Sequence, residues 1–469
     1  MNPLIGRKKE IDLLNAYLKS EKSEFIAVYG RRRVGKTFLI RKVYENKIIF
    51  QLTGLANVNM AQQLSQFTSA LNLRKPNWKV NPVKNWFEAF QQLIAFIDNK
   101  SSNEKKVIFL DELPWLDTKG SKFLSALEHF WNSYASARND IILIVCGSAA
   151  SWIINKLFKN KGGLHNRITG KIKLAPFTLK EVEAFLLSRN AIYNRYQVLI
   201  LYMAFGGIPF YIDLIKSEKS VIQNINDLCF SQEAPFRIEF ENLYASLFNK
   251  HENHIQVIRA LSNKNKGLSR NEIIQITKLT NGGGLTRLLN ELEESSFIRS
   301  YKAFGKKQNN KLYQLTDLYS LFYLKFIEKS ARDDENFWIN IVNTPTYFSW
   351  SGYAFEMVCL HHIYFIKKAL GISGIQSAIS TWQSSKAQID LIIDRKDQVI
   401  NLCEMKFSLN EFAIDNKYET NLRNKIETFR LQSKTKKALF LTFITSYGIK
   451  QNKHSGMVRN DLNMDIFFA

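Results

Sequence analysis

Residues 25–37, with the sequence FIAVYGRRRVGKT, constrain the fold of this chain more than any other stretch. The stretch begins with an apolar, partly β-branched run that has the length of one buried strand. The segment GRRRVGKT follows directly, and its two glycines let backbone N–H groups turn inward around phosphate oxygens. Apolar residues then begin a helix whose positive end faces the same anion. This order predicts a nucleotide-binding site, and the alternative is a chance glycine turn before a helix.

The loop residues predict ATP and Mg²⁺ as cofactors. Lys36 is expected to reach the β- and γ-phosphates, and the Thr37 hydroxyl is expected to ligate Mg²⁺. Lys36 is also a predicted catalytic residue because it contacts the phosphate that is transferred. The predicted nucleotide contacts in this segment are Gly30, Arg31, Arg32, Arg33, Val34, Gly35, Lys36, Thr37 and Phe38.

A second apolar run, residues 107–110, ends in the carboxylates Asp111 and Glu112. A buried strand here delivers Asp111 beside the phosphates, where it can hold Mg²⁺ through water. Glu112 then lies where a carboxylate can polarise the attacking water, so it is a predicted catalytic residue. The adjacent glutamate favours an ATPase over GTPase-like folds, which generally lack it.

Two further polar residues lie next to predicted strands. Ser148 follows the apolar residues 141–146, and its side chain can sense the γ-phosphate from between the two nucleotide strands. The alternative for Ser148 is a helix N-cap. Arg167 precedes a short strand at residues 172–174 and is a candidate arginine finger or sensor, acting in cis or in trans. The alternative for Arg167 is an exposed loop arginine.

Together these segments resemble the archaeal-type ATPase family within the STAND/AAA+ group. The resemblance is carried by GRRRVGKT, the LDE strand end, CGS, PFT and GGIP, and it spans about residues 3–215. It implies a five-stranded parallel core with the Asp-Glu strand central, followed by a helical lid. The segment IGRKKE near the N-terminus resembles the stretch of AAA+-type ATPases that lies against the adenine, which adds Gly6 and Arg7 to the predicted nucleotide contacts.

The length and composition limit the number of domains and the kinds of partner to expect. A chain of 469 residues is long enough for roughly two to four domains. The net charge of +23 favours a nucleic acid, with DNA preferred, and the alternative is a solvated basic surface. No apolar run approaches the ~18–20 residues that span a bilayer, so no membrane partner is expected and the cytoplasm is the expected compartment. A homo-oligomer is compatible with the sequence, which identifies no partner protein.

Residues 250–330 have the pattern of a winged helix. Three predicted helices, the second opened by a capping box at Ser269 and Glu272, precede two strands around a loop at residues 304–310. The third helix carries Arg287 but also three glutamates, which argues against deep insertion into a DNA groove. A structural or docking module is therefore favoured over a DNA reader.

The last part of the chain holds a second set of ionisable residues. Asp390 begins a predicted strand, and Glu404 and Lys406 lie two residues apart on the next strand, so the three can share one face. Glu356 lies among the apolar residues of a predicted helix at 350–360. Glu356, Asp390 and Glu404 are predicted metal ligands, and Lys406 is predicted to orient or deprotonate a water for phosphodiester hydrolysis. The alternative is ordinary surface chemistry.

This pattern also resembles the restriction-endonuclease-like PD-(D/E)xK fold, through the segments YAFE and ExK and through Trp382. Such a domain follows the ATPase in many relatives. The chain departs from that fold by having Gln388 and Ile389 where a proline precedes the aspartate. The resemblance implies a domain that binds DNA, with or without cleaving it.

The predicted fold class is α/β and multidomain. The predicted domains are a P-loop NTPase core with a parallel sheet and helices on both sides (1–175), a helical lid (176–245), a winged helix (246–331) and a restriction-endonuclease-like α/β domain (336–469). The favoured function is an ATPase that couples nucleotide state to a DNA-binding or DNA-cleaving C-terminal domain. The alternative is a STAND-like signalling or assembly scaffold whose C-terminal fold is catalytically inactive.

Overall fold

The chain forms an α/β structure with two compact units, Met1–Pro176 and Phe177–Ala469. The structure is a computed structural model that describes residues 4–74, 81–100, 104–159, 162–248, 250–305 and 311–469. Part of the predicted loop at 304–310, namely residues 306–310, lies outside the described residues. Within the described ranges, every helix is too short or too polar to cross a membrane.

The first unit alternates strands and helices. Its strands are β1 (Glu24–Tyr29), β2 (Ile48–Thr53), β3 (Lys106–Asp111), β4 (Ile141–Gly147) and β5 (Gly170–Lys173). Its helices are α1 (Lys8–Leu18), α2 (Lys36–Val43), α3 (Met60–Arg74), α4 (Trp86–Asp98), α5 (Leu113–Leu116), α6 (Phe123–Ser133) and α7 (Ala150–Trp152), with a 3-10 turn at Ala135–Ala137 and a π-helical turn at Ile153–Phe158.

The described strands of the first unit form one parallel sheet in the order β2-β3-β4-β1-β5. The parallel P-loop core is therefore confirmed, but the expectation that the Asp-Glu strand is central is wrong. β4 is central because two strands lie on each side of it. It pairs directly with β1 and β3, so that Val145 lies opposite Ala27 on one side and Leu110 on the other. Both β3 and β4 are buried along their whole length, as strands covered on both faces must be.

Aromatic side chains hold the helices of the first unit in place. The ring of Trp86, at the start of α4, lies 6.2 Å from Phe67 of α3 and 4.8 Å from Phe123 of α6. These residues belong to one apolar cluster with the sheet. A separate contact joins α1 to the end of α2, where the Tyr44 hydroxyl donates to the Leu14 carbonyl at 2.8 Å. A close-packed apolar core therefore supports the sheet of the first unit.

The second unit contains helices followed by two further sheets. Its helices are α8 (Leu179–Ser188), α9 (Arg195–Phe205), α10 (Pro209–Ile212), α11 (Val221–Cys229), α12 (Phe236–Ala245), α13 (His251–Ser262), α14 (Arg270–Thr277), α15 (Gly283–Glu294), α16 (Leu318–Phe322), α17 (Phe337–Ile341), α18 (Pro345–His361), α19 (Ile363–Ala369) and α20 (Asn416–Ser433). Its strands are β6 (Leu268–Ser269), β7 (Ile298–Lys302), β8 (Lys311–Leu315), β9 (Ser377–Gln383), β10 (Gln388–Arg395), β11 (Val399–Lys406), β12 (Ala438–Thr445) and β13 (Asn460–Leu462). A π-helical turn lies at Tyr323–Ile327, and 3-10 turns lie at Ser455–Met457 and Met464–Phe468.

The sequence marks where the first helices of the second unit begin and end. Reciprocal capping boxes open α8, α9 and α11, and each satisfies two backbone N–H groups at the start of its helix. From Val198 to Phe205, every residue of α9 is buried. Gly206 ends this helix with a φ of 69°, and Pro209 opens α10, as the GGIP segment predicted.

The segment that contains α13, α14 and α15 also forms a small antiparallel sheet, with the strand order β6-β8-β7. The predicted capping box is present, because the Ser269 hydroxyl accepts from the Glu272 N–H at 3.3 Å and the Glu272 carboxylate accepts from Ser269. β7 continues through a bridge between Ala303 and Thr381 onto β9. The small sheet is therefore joined to the larger sheet that follows it.

The larger sheet of the second unit is mixed, in the order β13-β12-β11-β10-β9. β9, β10 and β11 are antiparallel neighbours, whereas β11, β12 and β13 run parallel. Phe429 of α20 packs on the face that carries Ile392 and Leu402. Helix α18, which carries Glu356, packs against β11. A separate mixed sheet in the C-terminal region is thus confirmed.

Candidate functional site

Three strand ends meet at one edge of the parallel sheet in the first unit. Because parallel strands present their carboxyl ends on the same side, the segments that follow β1, β3 and β4 are brought together there. The GRRRVGKT loop follows β1, Asp111 and Glu112 lie at the end of β3, and Ser148 follows β4. Sequence motifs far apart in the chain therefore form one site.

The loop after β1 needs glycine at both of its fixed positions. Gly30 has a φ of 145°, and a Cβ there would lie 2.3 Å from the carbonyl oxygen of Leu174. Gly35 has a φ of 88° and is the N-cap residue of α2. Both backbone conformations are ones that residues with a side chain rarely adopt. The first N–H groups of α2 therefore open onto the inside of the loop, where they can bind an anion.

Lys36 lies inside this loop, with only 5% of its surface exposed. Its Nζ donates to the carbonyl of Gly30 at 3.0 Å, to the carbonyl of Arg31 at 2.9 Å and to the Ser148 hydroxyl at 3.0 Å. Two of these acceptors are neutral carbonyls of the loop itself. A phosphate oxygen is a stronger acceptor for an ammonium than a neutral carbonyl is, because the hydrogen bond is then charge-assisted.

Thr37 and Asp111 are in direct contact at the same edge. The Thr37 hydroxyl donates to Asp111 Oδ2 at 2.8 Å, and Asp111 is 3% exposed. The other oxygen, Oδ1, accepts from the Glu112 N–H at 3.0 Å. A hydroxyl and a carboxylate oxygen are the kind of ligands that Mg²⁺ takes beside nucleotide phosphates. The donor set therefore fits a magnesium ion.

Glu112 and Ser148 form the third contact of the site. The Ser148 hydroxyl donates to Glu112 Oε1 at 2.6 Å, and the Ser148 N–H donates to Oε2 at 3.1 Å. Glu112 has a φ of 46°, which is uncommon for a residue with a side chain and costs backbone energy. Helix α7 begins at Ala150 without a side-chain cap. The Ser148 side chain therefore contacts Lys36 and Glu112 instead of capping a helix.

The N-terminal segment reaches the loop as well. Arg7 is 5% exposed, and its Nη2 donates to the Val34 carbonyl at 3.1 Å. Gly6 and Arg7 have φ values of 66° and 58°, so the chain turns sharply before α1. This turn brings the Arg7 side chain onto the loop. Its predicted contact with the adenine stays a prediction.

Four other predicted site residues are exposed or half-buried. Phe38 is 42% exposed on the surface of α2, and Arg167 is exposed on the turn before β5. Arg32 and Arg33 are half-buried in the loop, and Arg33 has a φ of 68°. A role for Arg167 as a finger or sensor stays a prediction.

The predicted C-terminal residues lie on two neighbouring strands of the mixed sheet. β10 and β11 are antiparallel with Leu391 opposite Cys403, so Asp390 lies opposite Glu404 in the continued register. Glu404 is 4% exposed, and Lys406 Nζ lies 3.8 Å from Glu404 Oε2. The three residues are therefore close neighbours on the sheet.

Two residues of α20 that the sequence did not single out also bind Glu404. The Tyr418 hydroxyl donates to Glu404 Oε2 at 3.1 Å, and Lys425 forms an ion pair with Glu404 Oε1. Tyr418, Leu422, Lys425 and Phe429 recur at a helical spacing, so they share one side of α20. This helical period, which includes the polar residues Tyr418 and Lys425, was the sequence signal from which these two partners of Glu404 could have been found.

Glu356 is the most perturbed carboxyl group of this region. Burial and the neighbouring charge of Asp390 raise its pKa to about 8. Among the residues that the structure describes, no three or more His, Cys, Asp or Glu side chains are grouped so that they could hold a metal ion. Two carboxylates are enough for Mg²⁺, which keeps several waters. Metal binding by Asp390 and Glu404, with Glu356 beside them, stays a prediction.

Comparison with protein families gives a match in the N-terminal part of the chain. Residues 4–215 match the family described as an ATPase domain predominantly from Archaea. This range contains the loop after β1, the Asp111–Glu112 pair, Ser148 and the GGIP segment.

Relatives and solved structures extend the likeness. The chain is 24% identical over 416 residues to the uncharacterized protein MJECL04 of Methanocaldococcus jannaschii, covering 86% of this chain and 87% of that protein. It is 49% identical over 45 residues to the uncharacterized ATP-binding protein MJ0423 of the same organism, covering 10% of this chain and 76% of that protein. In fold it is similar to the Walker-type ATPase PABY2304 of Pyrococcus abyssi, with a TM-score of 0.50 at 15% identity over 69% of this chain and 96% of that one. Residues 4–215 are therefore similar to an ATPase domain of the type found predominantly in Archaea.

Proposed function

We propose that the first unit hydrolyses ATP with Mg²⁺, using the side chains at the edge formed by β1, β3 and β4. The observation that carries this proposal is the connected set of Lys36, Ser148, Glu112, Asp111 and Thr37, in which hydrogen bonds of 2.6–3.0 Å join neighbouring members. A chance glycine turn would not place a hydroxyl, an ammonium and two carboxylates together at the start of a helix.

Each residue has a distinct task in the proposed reaction. The N–H groups at the start of α2 bind the phosphates, and Lys36 leaves its carbonyl acceptors for the β- and γ-phosphate oxygens. Thr37 and Asp111 hold the metal, which supplies positive charge to the phosphates when it is bound. Glu112 orients the attacking water and accepts its proton.

Ser148 links the phosphate side of the site to the general base. In the described arrangement its hydroxyl accepts from Lys36 and donates to Glu112. When Lys36 turns to the γ-phosphate, Ser148 loses that donor and keeps Glu112. We infer that Ser148 holds Glu112 in place in both states and senses the γ-phosphate through the loss of its Lys36 donor, which makes it a positioning residue.

Substitutions at Lys36 and Glu112 should separate nucleotide binding from hydrolysis. Lys36→Ala removes the charge that binds the β- and γ-phosphates, so affinity for ATP should fall by at least about tenfold. Glu112→Gln keeps the shape but removes the base, so binding should persist while turnover falls by about 10²–10⁴. Calorimetric titration and phosphate release measure the two effects.

Lys42→Ala is the matched control for Lys36→Ala. Lys42 lies on the same helix, 3.8 Å from the surface residue Glu45, and should leave both binding and turnover unchanged. Wild-type ATP affinity in Lys36→Ala would contradict the assignment of the site.

For the second unit, we propose that residues 246–331 form a winged helix and that the C-terminal mixed sheet belongs to a nuclease-like domain that binds nucleic acid. The net charge of +23 supports a polyanionic partner. The specific observation in favour of cleavage is the contact of Lys406 with Glu404 beside Asp390, which matches the residue types of a metal-dependent phosphodiester site. A signalling or assembly scaffold remains the alternative, since it needs the fold without this chemistry.

The cleavage proposal predicts a metal-dependent activity that Asp390 controls. Incubation of linear and single-stranded DNA with Mn²⁺ should give products with the wild type and none with Asp390→Asn, while ATP hydrolysis is retained. Glu411→Gln changes an exposed glutamate of the same region and should cleave like the wild type. Intact DNA with the wild type would favour the scaffold instead.

The raised pKa of Glu356 predicts how stability depends on pH. Its pKa is about 8 in the folded chain against an ordinary value of 4.5, so the folded state binds the proton more tightly. The resulting stabilisation is complete below 4.5 and is lost as the pH rises through about 8. Glu356→Gln is always neutral, so it should lose less thermal stability than the wild type between those pH values.

Thermal unfolding in metal-free buffer at a series of pH values measures this difference. Glu411→Gln should follow the wild-type curve, because Glu411 is exposed. If Glu356→Gln and wild type lose stability in parallel across the window, the carboxyl group is ionised in the folded chain and the prediction is wrong.

A further inference from the structure

We propose that the cavity between the small antiparallel sheet and the C-terminal mixed sheet binds the terminal phosphate of a nucleic-acid strand, with Arg299 as the residue that holds it. The inference deepens the nucleic-acid role proposed for the second unit and rests on it. It assigns to that role a binding pocket, a phosphate ligand and a residue outside the C-terminal domain.

The cavity has a volume of about 480 Å³ and is built by both sheets. Arg299 and Gln314 come from the small sheet, and Trp382 and Asp390 come from the mixed sheet. A pocket of this size accommodates a mononucleotide-sized group. A terminal phosphate can enter such a cavity without a chain passing through it, so we take the end of a strand as the ligand.

The two walls of the cavity are fixed to each other. The Phe304 N–H donates to the Thr381 carbonyl at 2.7 Å, beside the bridge that joins Ala303 to Thr381. The Phe304 ring also packs on Phe429 of α20, with 5.1 Å between the ring centroids. On another side, the Tyr353 hydroxyl donates to the Asn265 carbonyl at 2.9 Å. The pocket is therefore formed before any ligand arrives, which lowers the entropic cost of binding.

Arg299 is the group that points to an anion. Its Nε donates to Gln314 Oε1 at 2.7 Å, and its guanidinium lies 4.6 Å from the centre of the Tyr301 ring. Both contacts fix the direction of the side chain without neutralising its charge. Burial lowers the pKa of Arg299, because it removes water from around the cation.

The nearby carboxylates do not pair with Arg299. Glu356 and Asp390 line the same cavity, yet within the described residues Arg299 forms no ion pair. An arginine that served only to balance these carboxylates would be expected to contact one of them. A guanidinium held by a neutral amide and an aromatic ring keeps its remaining N–H groups for a planar or tetrahedral oxyanion, and phosphate is the usual one.

Lys266 supplies a second positive charge to the cavity. It lines the pocket, and its backbone carbonyl accepts a hydrogen bond from the Tyr301 hydroxyl, which fixes its segment beside Arg299. Two cations in a preformed pocket, next to the predicted cleavage residues, favour a phosphate that is part of the nucleic-acid partner. Arg299 would then hold the strand end while Asp390 faces the neighbouring nucleotide.

Calorimetric titration with short oligonucleotides tests this proposal. Hexathymidine with a 5′-phosphate, with a 3′-phosphate and with neither is titrated in metal-free buffer into the full-length Lys36→Ala chain, in which the first unit is not expected to bind phosphate. One of the phosphorylated forms should bind at least about tenfold more tightly than the unphosphorylated form, and Arg299→Gln should remove the difference. Arg299→Lys keeps the charge without the fork and should recover part of it.

Arg287→Gln is the matched control. Arg287 is an exposed arginine of the same module, on α15, and does not line the cavity. It should keep the preference for a terminal phosphate. Arg299→Gln should unfold thermally at the wild-type temperature or above, because it removes a partly buried cation that has no carboxylate partner among the described residues. Retention of the preference in Arg299→Gln, or its loss in Arg287→Gln, would overturn the assignment.

The remaining outcomes separate this inference from the function on which it rests. Oligonucleotides that bind equally with and without a terminal phosphate would overturn the inference alone. No binding of any oligonucleotide would overturn both the inference and the nucleic-acid role. Free thymidine monophosphate that binds as tightly as the phosphorylated strand would contradict the strand end as the ligand and assign the pocket to a free nucleotide.

Discussion

The parallel pairing of β4 with both β1 and β3 is the constraint on which the nucleotide site depends. It sets the carboxyl ends of three buried strands side by side, so that Lys36, Asp111 and Ser148 meet although they are far apart in the chain. β3 and β4 are fully buried, β1 is buried except at Tyr29, and helices pack on the sheet, which leaves little freedom to adjust the geometry. The polar residues of the site therefore depend on the apolar residues below them.

Much of this arrangement could be predicted from the sequence because its signals are local. Gly30 has a φ of 145°, and any side chain there would meet the Leu174 carbonyl. Because the loop requires glycine at this position, its pattern can be recognised from the sequence. The strand that ends in Asp111 and Glu112 is a continuous apolar run, which is typical of parallel sheets. The order of the strands in the sheet could not be predicted in this way. The central position of β4 depends on pairing between distant segments, and no local pattern encodes it.

Contacts made by long side chains across elements were the least predictable part. Lys425 and Tyr418 bind Glu404 from α20, and Arg299 enters a cavity beside Asp390 from a different sheet. Each of these residues has an ordinary neighbourhood in the sequence. Ser148 shows the intermediate case, since its location after a strand suggested two roles. Its contacts with Lys36 and Glu112 argue against the helix cap, and the sensor role stays a prediction.

The hydrogen bond between Thr37 and Asp111 marks the place that we expect Mg²⁺ to occupy with ATP. Titration with a non-hydrolysable ATP analogue, with and without Mg²⁺, in wild type, Thr37→Ala and the control Thr68→Ala measures this directly. The metal should tighten binding in wild type and Thr68→Ala, and Thr37→Ala should lose that gain while keeping its metal-free affinity. An undiminished effect of Mg²⁺ in Thr37→Ala would contradict the proposed metal site and the ATPase mechanism built on it.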